Sequence, residues 1–260
     1  MSELLGIDVS HYQNKIDWQK VAKAGKKFAI LKCQYEAQSH RIDETFEYNY
    51  AEAGKYGLAR GVYIFIASAS MADPVKDAAC LLAHLKGRKL EYGIWLDLEA
   101  NVVRQKGKIY IESLIKTYVT HFRNAGYYVG IYCNRDWYLN CMTEDVKAWY
   151  DFWIARYPKN DYGEYNPNSS IKPSSKMAVA WQYSSKGHVN GINGNVDLDV
   201  DYDGVINLAS PERKTNAEIA HEVLAGKWGT KYSRPSRKQL LTAAGYDYDS
   251  IQYLVNKLCR

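Results

Sequence analysis

Eight short apolar runs, separated by amphipathic stretches, organise the first 200 residues of this 260-residue chain. The spacing predicts strands over residues 4–9, 28–32, 61–66, 92–98, 127–132, 152–155, 177–183 and 195–198. Helical periodicity fills 18–24, 44–56, 74–85 and 110–124, and Gly25, Gly57, Gly87 and Gly126 follow as stops. Such a βα rhythm predicts an α/β fold, an irregular (β/α) TIM-like barrel of parallel strands. The irregularity is expected late in the barrel, where residues 158–175, rich in Asn, Pro, Ser, Tyr and Lys, read as a long loop.

The fourth run carries two acids, in Gly93-Ile94-Trp95-Leu96-Asp97-Leu98-Glu99-Ala100. Strand side chains alternate, so Asp97 and Glu99 project from one face with Cβ atoms about 6–7 Å apart. Each then raises the cost of ionising the other, so one can keep a proton while its neighbour stays charged. Glycoside hydrolysis is the reaction class that most often uses such a pair. Acid-x-acid pairs also occur on solvated strand faces; Trp95, Leu96 and Leu98 argue instead for an interior strand, where unpaired charge is expensive. A parallel barrel gathers its functional residues at the C-terminal strand ends, which here bear Asp8, Asp97, Glu99 and the pair Asp197 and Asp199. Tyr63, Tyr132, Trp153, Tyr157 and Trp181 lie at the same ends, as flat faces and hydroxyls for sugar rings.

Composition narrows the rest. No apolar stretch reaches the 18 residues of a membrane span, and the N-terminus lacks the basic and apolar regions of a secretory signal. Five scattered cysteines without a Cys-x-x-Cys pair point to reduced thiols. The same scatter, with six dispersed histidines, predicts no metal site and no cofactor. Residues 211–260 hold nine Lys and Arg against five Asp and Glu, a net +4, leaving +1 for residues 1–210. A basic tail on a near-neutral body suits an anionic partner; a bacterial wall fits, whereas no nucleic-acid motif is present.

Five segments together identify a resemblance: Gly6-Ile7-Asp8-Val9-Ser10-His11-Tyr12-Gln13 with Ile16-Asp17-Trp18; Trp95-Leu96-Asp97-Leu98-Glu99; Trp153-Ile154-Ala155-Arg156-Tyr157; Trp181-Gln182-Tyr183; and Gly194-Asn195-Val196-Asp197-Leu198-Asp199. In this order, over residues 4–208, they resemble glycoside hydrolase family 25, the lysozymes of fungal and phage muramidase type. The resemblance implies hydrolysis of the β-1,4 bond between N-acetylmuramic acid and N-acetylglucosamine. It implies Glu99 as general acid, Asp97 as its charged companion, and Asp8 and Asp197 as acids that position substrate, with Asp199 beside them. It also implies a retaining route through the substrate's own acetamido group, although sequence does not separate that from direct water attack. Two departures stand out. Tyr63-Ile64-Phe65 replaces the family's frequent Tyr-His-Phe, and Lys32-Cys33-Gln34-Tyr35-Glu36-Ala37 replaces Lys-Ala-Thr-Glu-Gly, so outer subsites are expected to differ.

A polar break near residues 208–215 divides the chain into 1–208, a linker at 209–214 and a C-terminal unit at 215–260. In that unit Thr215 and Glu218 form a capping box, and helices are expected to 224, over 236–244 and over 250–258. Gly226-Lys227-Trp228-Gly229, Arg234 and Leu241-Thr242-Ala243-Ala244-Gly245-Tyr246 resemble one Cpl-seven type cell-wall-binding repeat. That resemblance makes Gly226, Trp228, Gly229 and Arg234 candidate wall contacts, with a core role for Trp228 as the competing reading. One copy binds weakly, so a homodimer would add avidity. The expected setting is synthesis in a bacterial cytoplasm and action on the wall after release, as for an endolysin or autolysin. A chitinase-like hydrolase and a non-catalytic wall-binding protein remain as alternative readings.

Overall fold

A computed structural model describes residues 3–34, 40–67, 70–71, 73–202, 205, 214, 216–244 and 246–259. The expectations on Tyr35, Glu36, Ala37, Thr215, Gly245 and most of the linker lie outside these residues. Eight strands close a barrel in sequence order: β1 (Leu4–Val9), β2 (Phe28–Gln34), β3 (Ala59–Phe65), β4 (Ile94–Asp97), β5 (Val129–Asn134), β6 (Phe152–Ala155), β7 (Ala180–Gly187) and β8 (Val196–Asp201).

β1 to β7 pair in parallel, but β8 runs antiparallel to both β7 and β1. This corrects the expectation of a wholly parallel barrel. The cause is connection length: residues 188–195 are too few for a crossover helix, so the chain must turn straight back. Asp197 therefore reaches the barrel mouth from the start of a strand, and β8 descends from there.

Helices α1 (Trp18–Lys23), α2 (Phe46–Lys55), α3 (Asp73–Leu85), α4 (Asn101–Arg104), α5 (Lys108–Asn124), α6 (Arg135–Cys141) and α7 (Glu144–Trp149) connect the strands. In α5, Ile111, Leu114, Ile115, Tyr118, Val119 and Phe122 recur at helical spacing and are all buried, each contributing about 1.5–3 kcal/mol through apolar burial. The helix ends where Gly126 takes φ 89°, a left-handed conformation that side chains resist. Between β6 and β7 the described chain holds no helix or strand.

Inside the barrel Phe28, Ile30, Tyr92, Trp95, Trp153 and Ala180 form a core of their own. Gly130 makes room for it: a Cβ there would lie 2.4 Å from the Trp95 ring. Three further helices, Asn216–Leu224, Arg237–Ala243 and Tyr248–Leu258, pack around Ile219, Ala220, Val223, Leu241, Ile251 and Val255. No described helix is long and apolar enough to cross a membrane.

Candidate active site

A cleft of about 430 Å³, open to solvent, sits at the barrel mouth and is lined by Asp8, Tyr63, Asp97, Glu99, Tyr132, Trp153, Tyr157, Gln182 and Asp197. Four acids from three distant segments thus converge. The strands explain why: Asp97 is the last residue of β4, while Asp8 in β1 stands opposite Asp197 in β8.

Asp97 and Glu99 open onto the same cleft, as strand alternation requires. Their environments differ. Asp97 is buried, its Oδ1 has no hydrogen-bond partner, and its pKa is raised well above the carboxylate value by burial and then by the charge of Glu99. Glu99 lies beyond the strand end, solvent-exposed at the rim, and burial against the wall raises its pKa as well. Lys32 pulls both downward. Both acids are thus raised in the free protein, and burial is the largest cause for each.

On the opposite wall, burial pushes Asp197 up to about 6, with the charges of Asp161 and Glu99 adding to it. Asp8 is raised well above its ordinary value by burial, then by Asp197 and Asp199. Gln182, which the sequence pattern does not single out, ties this wall together. Its Nε2 donates to Asp8 Oδ2 at 2.6 Å, while its Oε1 accepts from Tyr132 Oη at 2.8 Å and from Tyr157 Oη. Burial also pushes up the phenols of Tyr63, Tyr132 and Tyr157, so each stays a neutral hydroxyl.

Two expected contacts are not in the cleft. β7 alternates, so Gln182 faces inward and Trp181 outward; Trp181 packs beside Tyr183, and its Nε1 donates to the Arg156 carbonyl at 2.8 Å. Asp199 is wholly buried beneath the cleft, where its Oδ1 accepts from Trp153 Nε1 at 2.9 Å. Neither is among the residues that line the cleft.

In the C-terminal unit Trp228 packs on the three-helix core and against Tyr246, and its Nε1 donates to Glu222 at 3.0 Å. Gly226 and Gly229 take positive φ in the turn that follows the helix Asn216–Leu224, and Arg234 is exposed nearby. Among the described residues one grouping has metal-ligand spacing, His11, Asp43 and Glu44, with atoms within 4.8 Å of one another. Asp43 there accepts from the His11 and Thr45 amides and the Thr45 hydroxyl, the pattern of a loop brace.

Residues 7–192 match the model of glycosyl hydrolases family 25, and residues 217–259 match the CW_7 repeat. The chain is 30% identical over 207 residues to lysozyme M1 of Streptomyces globisporus, covering 75% of this chain and 67% of that protein. It is 27% identical over 201 residues to the autolytic lysozyme of Clostridium acetobutylicum, covering 77% of this chain; it spans 56% of that relative's length. The crystal structure of the bacterial lysozyme from Streptomyces coelicolor superposes with a TM-score of 0.64 at 23% identity, covering 80% of this chain and 98% of that one, and so shares the fold.

Proposed function

The chain belongs to glycosyl hydrolases family 25, and from that premise we propose that it is a peptidoglycan hydrolase, an N-acetylmuramidase that cleaves the β-1,4 bond between N-acetylmuramic acid and N-acetylglucosamine. The observation that carries this reading is the acid-lined cleft in which Asp97 and Glu99 meet beside neutral tyrosine hydroxyls.

Glu99 sits where a leaving-group oxygen can approach from solvent. A sugar laid across the rim removes its remaining water, which raises its pKa further and makes it the general acid. Asp97, deeper and with Oδ1 unpartnered, is placed to accept the substrate's acetamido N–H once ionised. The acetamido oxygen can then attack the anomeric carbon as the aglycone departs with the Glu99 proton, and the glutamate left behind can activate water in the second step. Asp8 and Asp197, with Tyr63, Tyr132 and Tyr157, orient the ring.

The barrel at 1–208 supplies this chemistry, and 215–260, joined through 209–214, holds the enzyme on the wall. Gly226 and Gly229 shape the binding turn, Trp228 braces it, and Arg234 offers a cation to the anionic polymer.

Turbidity loss on purified sacculi, with mass spectrometry of the released sugars, tests the assignment. Glu99→Gln is expected to lower the rate by about 10²–10⁴, the usual contribution of a positioned acid. Wild type should release fragments ending in reducing N-acetylmuramic acid. Equal clearing by both proteins would refute the reading.

A further inference from the structure

Gln182 is buried in the cleft wall, 3% exposed, and gathers side chains from three separate segments. β7 places it in register with Ala155 of β6 and Asp199 of β8. From there its Nε2 donates to Asp8 Oδ2 in β1 at 2.6 Å, and its Oε1 accepts from Tyr132 Oη in β5 at 2.8 Å. Tyr157 Oη, two residues past the end of β6, donates to the same Oε1. A carboxamide oxygen has two lone pairs, and the two phenols fill them. Each phenol owns a single proton. With that proton committed to Gln182, both tyrosines, which line the cleft, turn only oxygen lone pairs toward its interior.

We infer that Gln182 is a positioning residue that sets specificity: it turns the hydroxyl protons of Tyr132 and Tyr157 inward and so presents both phenols to a bound sugar as hydrogen-bond acceptors. The array does not depend on the charge of Asp8. Its Oδ2 accepts from Nε2 both in a carboxylate and as the carbonyl oxygen of a neutral acid. This wall therefore suits a sugar edge that bears hydroxyls or amide N–H groups. Carbonyl and carboxylate oxygens are disfavoured there, because their lone pairs would meet lone pairs and go unsatisfied. On the muramidase reading, the consequence is an orientation of the substrate. The muramic edge that carries the lactyl ether has lost its hydroxyl donor, so it faces away from Tyr132 and Tyr157, and an edge of free hydroxyl or acetamido N–H faces them.

NMR of protein carrying 15N-glutamine reads the array with no sugar present. The Gln182 side-chain amide is assigned by its loss in Gln182→Met or, should that variant not fold, in Gln182→Glu. One of its protons should lie downfield, return toward the ordinary amide position in Asp8→Ala, and stay downfield in Tyr132→Phe and Tyr157→Phe. A downfield proton that returns in the phenylalanine variants would mean that the amide is turned over; that result, or the absence of any downfield proton, overturns the proposal. If Asp8→Ala does not fold, the phenylalanine variants decide alone. Kinetics on soluble glycan strands then test the consequence for the sugar. Removing an interaction made equally in the bound substrate and the transition state moves KM alone, so Tyr132→Phe and Tyr157→Phe should each raise KM about tenfold, the effect of one lost hydrogen bond, with kcat nearly unchanged. A native KM in both overturns the acceptor role. Failure of the wild-type protein to cleave the strands would sink the muramidase reading instead and leave the NMR result to stand by itself.

Discussion

Asp197 shows what the cleft costs the fold. Its carboxyl is pushed up to about 6 from 3.8, so between those values the folded chain keeps a proton that the unfolded chain has released. The sign follows from linkage: the penalty is absent below the lower value, grows as pH rises through the interval, and is constant above the upper one, on the order of 3 kcal/mol. Asp197→Asn removes it. In urea denaturation the variant should gain stability relative to wild type between pH 4 and pH 7; an unchanged difference across that range would place the titration on another group. Lys32 acts in the opposite sense at the far wall, where it moderates the acids that the cleft brings together.

At the scale of elements, β4 and β5 hold the acid pair through one close approach. A methyl on Gly130 would meet the buried Trp95 ring at 2.4 Å, two residues before Asp97 in the same strand. Gly130→Ala should therefore cost about 1–3 kcal/mol, the range for an overpacked core, and slow turnover as Asp97 shifts. Thermal denaturation and sacculus clearing, measured together, check it: a variant of native stability and rate would show that the ring moves freely. The long alternating runs make most strands legible in the sequence; residues 152–155 coincide with β6 and 4–9 with β1. Asn101–Arg104, Arg135–Cys141 and Glu144–Trp149 are not legible, because helices of four to seven residues are too short to establish a period. The phase of β7 is hidden for another reason. Both faces of a barrel strand are apolar, so Trp181 and Gln182 give no sign of which points inward. Strand direction is invisible too, since alternation is the same read either way, so the depth of Asp199 below Asp197 does not show in the sequence.

On the scale of the whole molecule, α5 joins the barrel to the C-terminal helices. The helix Asn216–Leu224 packs against it, and Arg123 near its end lies 3.6 Å from Asp247 and 5.5 Å from the Tyr150 ring centroid. Both charged side chains are largely buried, 14% and 13% exposed, so the pair is less screened than a surface bridge. A double-mutant cycle of Arg123→Ala and Asp247→Ala should give a coupling of about 1 kcal/mol in chemical denaturation; additive losses would mean that the two units are joined by packing alone. The reversed last strand reaches furthest. Since β8 inserts tip-down through the turn at 188–195, one miscounted residue there would swing Asp197, Asp199 and Asp201 out toward the helices and bring Leu198 and Val200 into the lumen. A molecule that mistakes its final seam thus also disarms itself, and a misassembled copy is a harmless one.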